Sequence, residues 1–125
     1  MGKVTDIRKK DIAVSVIILN YNGISYVKEC MESVLNQTFR DKEIIVIDNG
    51  SSDGSGELLK KMASSEIIFI ENKDNLGFAS GNNIGMEMAK GRFIALLNND
   101  AVADEKWLEN LVSAALKSDS SYGSW

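Results

Sequence analysis

Four short apolar runs, separated by segments of helical period, constrain this chain more than any other feature. Ala13 to Leu19, Glu43 to Ile47, Ile67 to Ile70 and Phe93 to Leu97 are rich in β-branched or aromatic residues, and they are apolar nearly throughout rather than alternating. Strands covered on both faces read this way. Between them, Ile24, Val27, Met31, Val34 and Leu35 fall at helical spacing, as do Leu58, Leu59 and Met62, and then Ile84, Met88 and Ala89. A fourth helix is expected to carry Trp107, Leu108, Leu111, Val112, Ala115 and Leu116 on one face, with Asp104 as N-cap, and Gly91 is placed to cap the third helix before the fourth strand. The order is β-α-β-α-β-α-β-α. Strands alternating with helices imply right-handed crossovers, hence an α/β fold: a Rossmann-like, doubly wound, mainly parallel sheet with helices on both faces.

No internal repeat or linker divides the chain. The expected organisation is a polar N-terminal segment at 1–12, one domain at 13–118 and a tail at 119–125. The tail belongs to "KSDSSYGSW", turn-rich sequence that stops where a fifth strand is expected to begin, so the chain reads as truncated. Missing strands would leave an apolar edge, and self-association through it is expected.

Composition removes several classes of chemistry. The 125 residues are 44% hydrophobic, ample for a core, and the net charge of −4 supplies no basic stripe, so no nucleic-acid partner is expected. With no histidine, Ser-His and Cys-His nucleophiles and histidine metal sites are ruled out. The single cysteine, Cys30, excludes an internal disulfide and sits in an apolar helical pattern, where it reads as a small buried hydrophobe. Carboxylates and amides must carry any chemistry. The N-terminal sequence has no apolar signal region, and no stretch reaches the roughly 18 apolar residues of a membrane span. A cytoplasmic location is expected, with the inner face of the membrane as an alternative for a longer protein, and the N-x-[ST] matches at Asn36 and Asn49 read as chance.

In an open parallel sheet, ligands bind beyond the carboxyl ends of the strands, near the point where strand order reverses. The loops there are "NYNG" (20–23), "DNGSSDGSG" (48–56), "ENKDNLGFASGNN" (71–83) and "NNDA" (98–101). Any turn favours Asn, Asp, Ser and Gly, so one such loop says little. Four at one edge, opposite shorter and more basic loops, concentrate the polar chemistry. Asp48 ends an apolar strand directly, so its carboxylate stands at the rim of a dry core, able to accept from an N–H or a ribose hydroxyl; capping the next helix is its plainer role. The Rossmann G-x-G-x-x-G, the P-loop G-K-[ST] and the EF-hand spacing are all absent from these loops. What remains is a hard-cation site with oxygen ligands at Asp100, helped by Asn98 or Asn99, since Mg²⁺ and Mn²⁺ commonly bind through one or two carboxylates plus the substrate's phosphates.

"VSVIILNYNG" (14–23), "IIVIDNGSSDGS" (44–55), "NLGFASGNNIG" (75–85) and "LLNNDA" (96–101), in that order and spacing, resemble family 2 glycosyltransferases, the inverting, nucleotide-sugar-dependent enzymes of the GT-A fold, and the third segment is similar to the rhamnosyltransferase-like branch. The resemblance runs from about Ala13 to Lys117. It implies that Asn20, Tyr21, Asn22, Asp48 and Asn49 line the pocket for base and ribose. It implies also that Asp53, Gly77, Asn82 or Asn83, and Asn99 shape the nucleotide edge, and that Asp100, with Asn98, reaches the diphosphate through Mg²⁺ or Mn²⁺. Asn98 stands where the fuller Asp-x-Asp motif has its first carboxylate, which removes one negative charge and implies weaker metal binding. In this family the general base follows the metal motif, and only 25 residues follow Asp100, so the base is expected beyond Trp125. The implied partners are a UDP-, dTDP- or GDP-sugar donor and a polysaccharide or lipid-linked acceptor. Two other readings stay open: a nucleotidyltransferase, and a non-catalytic binding or scaffold domain of the same fold.

Overall fold

A computed structural model describes residues 12–119. The expected N-terminal segment and the residues after 119, where the turn-rich tail and the start of a fifth strand were expected, lie outside the described residues. The elements follow the expected order: β1 (Ile12–Asn20), α1 (Val27–Leu35), β2 (Lys42–Asn49), α2 (Ser55–Met62), β3 (Ile67–Asn72), α3 (Phe78–Met88), β4 (Gly91–Asn98) and α4 (Trp107–Asp119). All strand pairs are parallel, and the sheet order is β3-β2-β1-β4. The chain steps outward from β1 to β3 and then returns to the far side of β1, so strand order reverses between β1 and β4. The register aligns the polar strand ends: Asn20 lies beside Asp48, Asp48 beside Glu71, and Leu19 beside Asn98.

Side chains of alternate parity fill two cores, one on each face of the sheet, as the doubly wound fold requires. The larger joins Val14, Val16, Ile18, Ile44 and Val46 to Val27, Cys30, Met31 and Val34 of α1, Leu59 of α2, and Leu108 and Val112 of α4. The smaller joins Ile17, Ile45 and Ile47 to Leu19, Ile68, Ile70 and Ala89, beneath α3. Asp104 is not the N-cap expected of it: α4 begins at Trp107, and Asp104 sits in the turn before it, its carboxylate accepting from the Lys106 N–H and its carbonyl from the Trp107 N–H.

Several local expectations are corrected. β4 is not covered on both faces: Ile94 and Leu96 are 41% and 50% exposed, because α3 packs over β1 and β2 and leaves β4 open. Helix α3 does not pack through Met88, which is 47% exposed. It rests instead on Gly81, Asn82 and Gly85, and a Cβ at Gly85 would stand 2.7 Å from Ile47 Cδ1 and 2.9 Å from Ile17 Cγ2. Gly91 is not a helix cap but the first residue of β4. Its N–H donates to Ser15 Oγ, and a Cβ there would meet the Ser15 backbone nitrogen, so only glycine lets β4 start this close to β1. Ile24 is exposed and precedes α1, in a turn whose Gly23 carbonyl accepts from the Tyr26 and Val27 N–H groups.

Candidate functional site

The four polar loops meet at the carboxyl edge of the sheet, tied together by side chains that turn inward. Asn20, fully buried at the end of β1, directs its Nδ2 to Asp48 Oδ1 (3.0 Å), Ser55 Oγ (2.9 Å) and, at 3.3 Å, Ser51 Oγ. Its Oδ1 accepts from Asn99 Nδ2 at 2.9 Å. Asp48, 2% exposed, accepts further from the Ser51 N–H and hydroxyl. The first two loops cross-link again where the Asn22 N–H donates to Ser51 Oγ, the Ser52 N–H to Asn22 Oδ1 and the Ile24 N–H to Asp53 Oδ2. Asn22 adopts a left-handed φ of 53°, which an Asn tolerates better than most residues.

Asn49 does the same for the third loop. Its Nδ2 donates to Asn75 Oδ1 and the Gly77 carbonyl, and its Oδ1 accepts from Asn72 Nδ2 and the Leu76 N–H. Gly77 has a φ of 89° and ψ of 168°, a region essentially reserved for glycine, and it delivers the chain into α3. The fourth loop is held from below by α1 and the residues after it. The Cys30 thiol donates to the Asn98 carbonyl, Ser33 Oγ accepts from the Ala103 N–H, and buried Gln37 spans the Asp104 carbonyl and the Leu108 N–H.

Between these loops, at the β1–β4 reversal, lies a cleft of about 350 Å³. It gathers Tyr21, Asn49, Asn82, Asn98, Asn99 and Asp100 from the residues named in the sequence. Asn20, Asn22, Asp53, Gly77 and Asn83 do not line it. Asn20 is buried beneath it; Asn22 and Asp53 bind the first loops to each other; Gly77 supports the third loop; and Asn83 is exposed on α3. Asp48 opens on a separate polar cleft of about 360 Å³ with Ser51, Glu71, Asn72 and Lys73. Leu19, Asn75, Phe78, Leu96 and Leu97 complete the first cleft, and sequence reasoning passed over them. Phe78, 69% exposed in an otherwise polar loop, carried the one legible signal.

Among the described residues, Cys30 and Asp53 are moved away from their ordinary values. Burial, with the charge of Asp100 added, pushes the Cys30 thiol up to about 11. The Ser55 hydroxyl, followed by backbone N–H groups of Ile24 and Ser55, holds the Asp53 carboxyl below its ordinary value. Among the described residues no group of three or more Cys, Asp or Glu side chains is placed to hold a metal ion. At the cleft mouth the donors are the exposed Asp100 carboxylate and the amides of Asn98 and Asn99. This hard-oxygen set fits Mg²⁺ or Mn²⁺ only when a ligand's phosphates complete the shell.

A parallel sheet with a polar cleft at its switch point defines a Rossmann-like α/β ligand-binding domain. Residues 15–125 match glycosyl transferase family 2, and the chain belongs to that family. It is 38% identical over 108 residues to an uncharacterized glycosyltransferase of Haemophilus influenzae, a match covering 85% of this chain and 33% of that protein. It is 36% identical over 100 residues to the Escherichia coli UDP-Glc:alpha-D-GlcNAc-diphosphoundecaprenol beta-1,3-glucosyltransferase WfaP, covering 80% of this chain and 38% of that one. The chain thus spans about a third of the length of these relatives. Among solved structures, Staphylococcus aureus TarS 1-349 superposes with a TM-score of 0.78 at 21% identity over 86% of this chain and 33% of its own, and has also been solved with UDP-GlcNAc. The mannosyltransferase PcManGT from Pyrobaculum calidifontis, in complex with GDP-Man and Mn²⁺, gives 0.75 at 23% identity over 82% of this chain and 32% of its own. These two likenesses show the GT-A fold.

Proposed function

We propose that the cleft between β1 and β4 receives the diphosphate of a UDP-, dTDP- or GDP-sugar, as the donor half of an inverting transferase acting on a polysaccharide or lipid-linked acceptor. The observation that carries this reading is the convergence of Tyr21, Asn82, Asn98, Asn99 and Asp100 at the switch point of the sheet. Tyr21 and Phe78 offer aromatic faces, and Asn82 and Asn99 offer amides to the nucleotide. Asp48 keeps Oδ2 with a single donor, the Ser51 N–H, so it retains capacity for a base or ribose group in the adjoining cleft. Asp100 places a negative charge where a divalent cation and two phosphates would share it, and Asn98 and Asn99 supply neutral oxygens beside it. Bound Mg²⁺ or Mn²⁺ would offset charge developing on the diphosphate leaving group. The names of WfaP and of the nucleotide-sugar complexes of TarS and PcManGT support this donor class.

Calorimetry with UDP, dTDP and GDP, each with Mn²⁺ at millimolar concentration, tests the reading. At least one should bind, and Asp100→Asn should weaken the Mn²⁺-dependent affinity by about tenfold or more, the loss typical of disturbing a metal's ligand shell. No binding of any of the three would sink it. In a longer protein that carries the general base expected beyond Trp125, binding without turnover of any sugar donor would favour a non-catalytic domain.

A further inference from the structure

We infer that Asn20 is a positioning residue that welds the Asn98–Asp100 turn to the lattice of the first two loops, so that the Asp100 cleft and the Asp48 cleft are set as one unit; its consequence for ligands rests on the reading above. Asn20 has no surface of its own and cannot be a primary contact. Yet its amide is used at both ends: Nδ2 holds Asp48 and Ser55, and Oδ1 takes the Asn99 amide. One planar group therefore fixes the turn that carries Asp100 relative to the loop that carries Asp48. A tilt that improves one side strains the other, because an amide's donor and acceptor are rigidly opposed.

Gly23 supplies an independent observation. Its φ is not left-handed, so backbone freedom does not explain it. A Cβ built there would strike Asn20 Oδ1 and lie 2.7 Å from Asn99 Nδ2, at the bond between them. The glycine leaves room for the Asn20–Asn99 bond and has no side chain to offer a ligand. Gly23→Ala should therefore wedge that bond apart without deleting a donor or an acceptor.

Hydrogen exchange of the ligand-free chain decides the point. Amides bonded within the lattice, those of Asn22, Ser51 and Ser52, should exchange about tenfold faster in both Gly23→Ala and Asn99→Ala, as local opening becomes easier. Asn98→Ala, which removes an amide from the same turn but not from Asn20, should leave them unchanged. With UDP as probe, the factor by which Mn²⁺ tightens binding should fall by about fivefold in Gly23→Ala, a loss in the range of ordinary coupling between sites. A general loss of stability lowers affinity with and without Mn²⁺ alike and leaves that factor intact. Unchanged exchange at Asn22, Ser51 and Ser52 in both variants overturns the inference. If UDP does not bind the unmodified chain, the proposed function fails for that base while the exchange result still decides the role of Asn20.

Discussion

At the scale of single residues, Cys30 is where environment most alters chemistry. It is fully buried under the Asn98 carbonyl, and its thiol is raised from an ordinary 9.0 to about 11. The shift alone leaves about a hundredfold less thiolate near pH 8, and the thiolate is the reactive form. Iodoacetamide should therefore label Cys30 slowly in the folded chain and rapidly in urea; equal rates would contradict the packing. The sign for stability follows. A folded value above the unfolded one contributes stability that is intact below pH 9 and is lost as pH rises toward about 11. The buried-hydrophobe role of Cys30 was legible in the sequence, since its neighbours at helical spacing are apolar. The roles of Asn20, Asp48 and Asn49 were not. Their residue types suit a ligand site, but which groups meet depends largely on partners 23 to 79 positions away along the chain, brought together by strand register. Register across a parallel pair is invisible to local pattern, so residues expected to face a nucleotide turned out to spend most of their hydrogen bonds on each other.

At the scale of elements, existence and order were legible, because continuous apolar runs and segments of period 3.6 separate cleanly here, and the exceptions at α3 and β4 share one cause. α3 was assigned a packing face of Ile84, Met88 and Ala89 because large apolar residues usually make one. Ala89 does pack against the smaller core, but Met88 is exposed and the closest approach is made through glycines, since Ile17 and Ile47 leave no room for a Cβ at Gly85. Once α3 sits that close over β1 and β2, it cannot also reach β4, and so Ile94 and Leu96 are exposed although their strand is almost wholly apolar. Gly85→Ala tests this packing. Helix propensity alone favours alanine by about 1 kcal/mol, whereas forcing a methyl group against Ile47 and Ile17 costs about 1–3 kcal/mol. Net destabilisation in urea titration is the expected outcome. Met88→Ala, at an exposed position, should stay within about 0.5 kcal/mol of the unmodified chain. A stabilised Gly85→Ala would mean that α3 stands further from the sheet.

At the scale of the whole molecule, the same uncovered face governs behaviour in solution. β4 ends the described sheet, so the outer edge of its backbone has no strand partner among the described residues. Beside that edge lie Ile94 and Leu96, with Val102 59% exposed just beyond the cleft. An edge strand next to apolar surface is a template for pairing with another chain. Opposing this is a net charge of −4, which makes two copies repel. Salt separates the two effects, because screening shortens the reach of the repulsion, to about 10 Å at 0.1 M and about 3 Å at 1 M, and leaves the apolar attraction in place. The 125-residue chain should therefore show an apparent mass in light scattering that rises with protein concentration, and rises further with added salt. Ile94→Lys, which puts a charge on the open face away from the nucleotide cleft, should reduce association at every salt concentration without lowering the melting temperature by more than a few degrees. A constant monomer mass at high concentration and high salt would show that the β4 edge and its apolar face do not drive association.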